Sequence, residues 1–295
     1  MTRLTAKDFP QELLEYYDYY AHGKITKREF LQRAGKYAVG GMTALALFNL
    51  LKPNYALAEQ VLFTDPDIRA EYIRYPSPDG HGEVRAYLVV PTTVTVKPAS
   101  VIVVHENRGL NPYIEDVARR VAKAGYIALA PDGLSSVGGY PGNDDEGREL
   151  QKKVDPLKLM NDFFAAIAFM EKHPQANGKV GITGFCYGGG VCNAAAVAIP
   201  ELACAVPFYG RQPPVADVAK IHAPLLLHYA ELDKSITDGW PAYEQALKAH
   251  NKVFEAYIYP QANHGFHNDS TPRYDRAAAE LAWQRTLAWF AKYLS

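Results

Sequence analysis

The sequence predicts an α/β fold: a mostly parallel, twisted sheet with helices on both faces, behind an N-terminal helical extension. Three patterns carry this expectation. From Ile68 onward, short β-branched runs alternate with helical stretches, the order that parallel strands with helical crossovers require. Runs such as Ser100–His105 (SVIVVH) are apolar without alternation, as in strands buried on both faces. Residues 1–60 have another character, first aromatic-rich and then rich in Gly and Ala, with no strand pattern. The chain therefore divides into an extension, 1–60, and an α/β domain, 61–295.

In the extension, Phe9–Ala21 reads as a helix that carries the cluster Tyr16-Tyr17-Asp18-Tyr19-Tyr20 and stops near Gly23. Lys27-Arg28 then precedes an apolar run, Ala34–Leu51, and Ala56-Leu57-Ala58 follows. Two expectations compete here. A basic stretch, an apolar run and an A-x-A site resemble a twin-arginine export signal cut after Ala58, although Lys27 stands in place of the first arginine. The alternative is a retained helical hairpin, packed on its own domain or on a neighbouring subunit. The aromatic cluster favours retention, since it offers large apolar area with polar ends. Retention predicts a cytoplasmic homo-oligomer built through this segment; export predicts a periplasmic protein. The apolar run is short for a membrane span and is flanked or interrupted by Lys36, Asn49 and Lys52.

In the domain, Glu71–Tyr75 and Glu83–Val90 form a hairpin around the turn residues 78–82. After the Ser100–His105 strand, Pro112–Ala124 has helical spacing and ends at Gly125. Tyr126–Ala130 is a buried strand, Leu134–Arg148 a Gly-rich loop, and Pro156–Lys172 an amphipathic helix. Strands Ala203–Tyr209, Pro224–Tyr229 and Val253–Tyr259 follow, with a helix near Trp240–Ala249 and a closing helix over Arg273–Tyr293.

The chemistry centres on Lys179–Gly190, KVGITGFCYGGG. A short strand runs into Gly184-Phe185-Cys186-Tyr187-Gly188, and small residues then open a helix. This is the G-x-nucleophile-x-G turn of the α/β-hydrolases, with Cys in the nucleophile position. The turn holds its nucleophile at positive φ and needs glycines where side chains would collide with the neighbouring strand and helix. The helix end favours the thiolate. In such folds the acid and the histidine follow in chain order. Asp233 lies just past the Pro224–Tyr229 strand, with Glu231 as a rival, and His264 lies past the last strand, with His267 as a rival.

Cys186 in GFCYGGG, Asp233 after Ala-Glu-Leu, His264 in His-Gly-Phe, the run VHENRGLN (104–111) and Ala-Pro-Asp-Gly (130–133) together resemble the dienelactone hydrolase family over roughly residues 70–295. The resemblance implies a cofactor-free hydrolase of a carboxylic ester or lactone that works through a thioester acyl-enzyme. It implies that His264 takes the thiol proton and Asp233 orients the imidazole. The oxyanion donors are then the Tyr187 N–H and a group at Asn107, and Glu106 contacts the thiol; the alternative for Glu106 is a salt bridge with Arg108. Where the family holds a substrate carboxylate with arginines, this chain has Asn268 and Ser135-Ser136, so Arg108 and Arg211 become the candidates. A broader carboxylesterase or thioesterase, or a non-catalytic oligomeric protein on the same fold, are the competing functions. The net charge of −1 implies no nucleic-acid partner, and the three cysteines show no zinc spacing, so neither metal nor cofactor is expected.

Overall fold

The computed structural model describes residues 4–295. Three short helices make up the extension: α1 (Gln11–Ala21), α2 (Lys27–Ala34) and α3 (Ala44–Leu51). Thr26 starts α2 by accepting the Glu29 N–H, while the Glu29 carboxylate takes the Thr26 N–H in return. The apolar run does not form one helix. Gly40 and Gly41, both at positive φ, break it, and only Ala44–Leu51 is helical after the break. Leu13, Leu14, Tyr17, Phe30, Phe48 and Leu51 close into a small core of their own. Each fully buried large side chain stabilises this packing by about 1.5–3 kcal/mol.

The domain begins with the antiparallel pair β1 (Ile68–Ser77) and β2 (Gly82–Pro91). There follow β3 (Ser100–Val104), α4 (Pro112–Lys123), β4 (Ile127–Pro131), α5 (Asp144–Gln151), α6 (Pro156–Glu171), β5 (Val180–Phe185) and α7 (Tyr187–Ala198). The chain continues through β6 (Cys204–Phe208), β7 (Leu225–Ala230), α8 (Lys234–Thr237), α9 (Trp240–Ala249), β8 (Phe254–Tyr259) and α10 (Arg276–Tyr293). The sheet runs β1-β2-β4-β3-β5-β6-β7-β8, parallel from β4 to β8. Residues of α6, α7 and α9 cover one face and residues of α4 and α10 the other. The five strands from β3 to β7 are buried along their whole length, as their unbroken apolar runs require.

The Gly-rich stretch expected as loop contains α5. Asn143 caps it by accepting the Glu146 N–H, and Asp144, Asp145 and Glu146 favour its N-terminal end. This helix matters because it meets the extension: Tyr20 donates to Asp145, and Lys52 pairs with the same carboxylate at 2.9 Å.

Candidate active site

Cys186 stands between β5 and α7 at φ 58°, ψ −112°. A strained turn of this kind persists only where its surroundings enforce it. A Cβ on Gly184 would lie 2.4 Å from the Gly188 carbonyl oxygen, and one on Gly188 would lie 2.4 Å from that of Val104. The two glycines thus let strand, turn and helix stack at backbone contact. Tyr187 opens α7, so its N–H is one of those that find no acceptor inside the helix.

His264, past the end of β8, directs Nδ1 to Asp233 Oδ2 at 2.5 Å. Asp233 is buried just past the end of β7. The rivals lie elsewhere. Glu231 accepts from the backbone of Gln261, and buried His267 is bound to the Tyr113 hydroxyl. The second nitrogen of His264 is buried without a hydrogen-bond partner and lies within 4.8 Å of the Cys186 sulfur. Contacts of this kind are often long before substrate binds.

A second histidine completes the cluster. His22, at the C-terminal end of α1, holds Nε2 3.2 Å from Cys186 Sγ. Its Nδ1 faces the carbonyl oxygen of Asp18 at 2.8 Å and the Asp18 carboxylate at 3.2 Å. The His22 and His264 rings meet edge to face with centroids 4.7 Å apart. Two Asp–His pairs therefore converge on one thiol, one from the domain and one from the extension. Arg273 ties the second pair down through Asp18 Oδ1 at 2.9 Å. Sequence reasoning read Asp18 as one member of an interface cluster and passed over His22. The only signal was the i, i+4 spacing of the two, which puts them on one helix face.

Electrostatics follow from this geometry. Burial alone pushes the Cys186 thiol up, but the charges of His22 and His264 outweigh it and bring it down to about 6. Burial opposes the His22 imidazolium, yet Cys186 and Asp18 raise it to about 10. His264 is likewise raised, against burial, by Asp233, Cys186 and Asp18. Burial also opposes the Asp18 carboxylate, but His22, His264 and Arg273 hold it well below the usual range. The arrangement favours a resting thiolate flanked by imidazolium.

The other expected site residues have partners of their own. Among the described residues no hydrogen bond joins Glu106 to Cys186. Arg108, two residues further on, binds Glu106 at 3.1 Å, and Asn268 donates to both carboxylate oxygens at 3.3 Å. A buried carboxylate needs such a counter-ion, and this one is supplied locally. Arg108 is itself buried and also binds Asp144 at 3.0 Å. Tyr55 and Tyr140 complete that network by donating to Asp144. The Asn107 side chain donates to the Ala21 carbonyl at 2.7 Å, which leaves only its backbone N–H for an oxyanion. Arg211 is exposed next to the first turn of α7, and among the described residues no ion pair engages it.

The extension roofs this site. Gln11 donates to Asn263, and Asn54 N–H to the Ser270 carbonyl. A cavity of about 150 Å³ remains between α1 and the Asp233–His264 pair, lined by Leu14, Asp18, Tyr19, Lys234 and Arg273. Among the described residues no helix is long and apolar enough to cross a membrane.

A tight strand-to-helix turn at Cys186, an Asp–His pair in the expected chain order and a doubly covered parallel sheet define an α/β-hydrolase fold. The chain belongs to the dienelactone hydrolase family, which it matches over residues 84–294. Residues 1–38 match a separate family described as YqhI-like. A fragment from Escherichia coli K12 provisionally named as the hydrolase YghX is 82% identical over 115 residues, 39% of this chain and 98% of the fragment. A protein of Yersinia pestis provisionally named carboxymethylenebutenolidase is 33% identical over 230 residues, covering 73% of this chain and 86% of its own. Among solved structures, a provisionally named dienelactone hydrolase from Klebsiella pneumoniae superposes with a TM-score of 0.67 at 32% identity, over 77% of this chain and 99% of its own. With this family the chain joins the hydrolases of esters and lactones.

Proposed function

We propose that the protein cleaves a small carboxylic ester or lactone with Cys186 as nucleophile. The observation that carries this is the convergence of two carboxylate-backed histidines on one strained, half-buried thiol. The thiolate attacks the carbonyl carbon, and the C–S bond forms as the carbonyl π electrons move to oxygen. The Tyr187 N–H and the Asn107 backbone N–H receive that oxyanion. Collapse breaks the C–O bond, and the leaving alkoxide takes a proton from the His264 imidazolium. Water then gives its proton to His264 and attacks the thioester, and the C–S bond breaks to return the thiolate and release the acid. Asp233 keeps the His264 tautomer throughout, and His22 pairs with the thiolate between turnovers. Glu106 acts through Arg108 rather than on sulfur. Arg211 is the remaining candidate to hold a substrate carboxylate.

We take residues 1–60 as a retained part of a cytoplasmic enzyme, because they supply His22 and roof the site. The apolar side chains they leave exposed, Val39, Met42, Leu45 and Leu57, suit a second copy of the chain. Turnover of a panel of small esters and lactones, with and without Cys186→Ala, tests the central reading. Activity that survives Cys186→Ala, or no turnover together with a thiol inert to alkylation, would sink it. The second result would favour the non-catalytic alternative.

A further inference from the structure

We propose that His22, Cys186 and His264 form a site for a divalent cation of the zinc class, whose binding silences the thiol. The ligating atoms of the three residues lie within 4.8 Å of one another. Tetrahedral zinc, with bonds of about 2.0 Å to nitrogen and 2.3 Å to sulfur, needs ligand atoms roughly 3.5 Å apart. The His22–Cys186 separation of 3.2 Å already meets that need. The third vertex is the buried, unpartnered nitrogen of His264, which is directed at the other two.

The outer contacts decide between a chance cluster and a built site. Metal-binding histidines almost always give their other ring nitrogen to a carboxylate or carbonyl, which fixes the tautomer and points the free nitrogen at the metal. Both histidines have this arrangement: His264 through Asp233 at 2.5 Å, and His22 through the Asp18 carbonyl at 2.8 Å and its carboxylate at 3.2 Å. Arg273 in turn holds Asp18. Two imidazoles and one thiolate are borderline-soft donors that suit zinc and disfavour magnesium or calcium. Three protein ligands leave a fourth position for water. Binding of the cation displaces the protons on the ligating nitrogens of the His22 and His264 imidazoliums to solvent, and the thiolate, once coordinated, no longer attacks carbonyls or alkylating agents. Because His22 belongs to the extension and the other two ligands to the domain, the cation also pins the extension over the site.

The test uses full-length, chelator-treated protein titrated with cobalt(II), then with zinc(II). We expect one cobalt per chain, with visible bands of tetrahedral intensity and a near-ultraviolet thiolate-to-cobalt band, all displaced by zinc. Zinc should protect Cys186 from alkylation. Cys186→Ala should remove the near-ultraviolet band, and His22→Ala should weaken binding at least as much as loss of an outer contact does. Asp18→Asn keeps all three ligands and should weaken binding by about 10- to 100-fold. Absence of the thiolate band at stoichiometric cobalt would overturn the proposal. So would wild-type affinity in the folded His22→Ala and Asp18→Asn proteins. The test is independent of ester turnover. A cobalt–thiolate band in a protein that hydrolyses no ester defeats the proposed function alone, whereas an active esterase without that band defeats the metal site alone.

Discussion

At the scale of single residues, Cys186 is governed by its two histidine neighbours. With its pKa lowered to about 6, the thiolate predominates above that pH. In chelator-containing buffer, alkylation of Cys186 should therefore rise through about pH 6 and stay level until His22 loses its proton near pH 10. An ordinary cysteine would rise through about 8.5 instead. His22→Ala removes one opposing charge and should move the midpoint up by roughly one to three units. An unmoved midpoint would show that His22 does not act on the thiol. For turnover, His264→Ala should cost about 10²- to 10⁴-fold in kcat. The double change with Cys186→Ala should cost little more than Cys186→Ala alone, since the pair works as a unit. Additive losses would separate the two roles.

At the scale of elements, the turn between β5 and α7 depends on backbone contact. A Cβ on Gly188 would meet the carbonyl oxygens of Val104 at 2.4 Å and His105 at 2.7 Å, neither of which can rotate away. Gly188→Ala should lower stability by about 1–3 kcal/mol and displace Cys186, read as a lower denaturation midpoint with slower alkylation. Wild-type values in both would show that the turn tolerates a side chain. Helix α1 is the second such element. Its Asp18 meets Arg273, its Gln11 meets Asn263, and the Ala21 carbonyl at its end accepts from Asn107. A domain spanning 59–295 alone keeps Asp233 and His264 but loses His22. Its alkylation midpoint should shift as in His22→Ala, and its melting temperature should fall because the contacts of α1 with Arg273, Asn263 and Asn107 are lost. A truncated domain with an unshifted profile would return α1 to a purely structural role.

At the scale of the whole molecule, the extension decides what the enzyme is. If it is retained, the native protein has the mass of the full chain, and size-exclusion chromatography with light scattering should show a complex larger than one chain. If it is cut after Ala58, the site lacks His22 and Asp18, and the native mass begins at Glu59. Intact-mass measurement on protein from its own cells separates the two.

The architecture and the chain order of Cys186, Asp233 and His264 were legible in the sequence because local pattern encodes them. Unbroken apolar runs mark strands buried on both faces, glycines around Cys186 mark a turn at backbone contact, and chain order places Asp233 and His264 at strand ends. Tertiary structure alone decided the partners of the thiol. Whether Glu106 faces Cys186 or Arg108 depends on side-chain reach in a buried space, where the nearer guanidinium wins. Whether Arg108 binds substrate depends on Asp144, which belongs to a helix the composition disguised as loop. His22 lies 164 residues before Cys186, in a segment with its own small core. No local rule links such distant positions. Their meeting follows from the docking of α1 over the C-terminal ends of the strands, and it exists only once the sheet has formed.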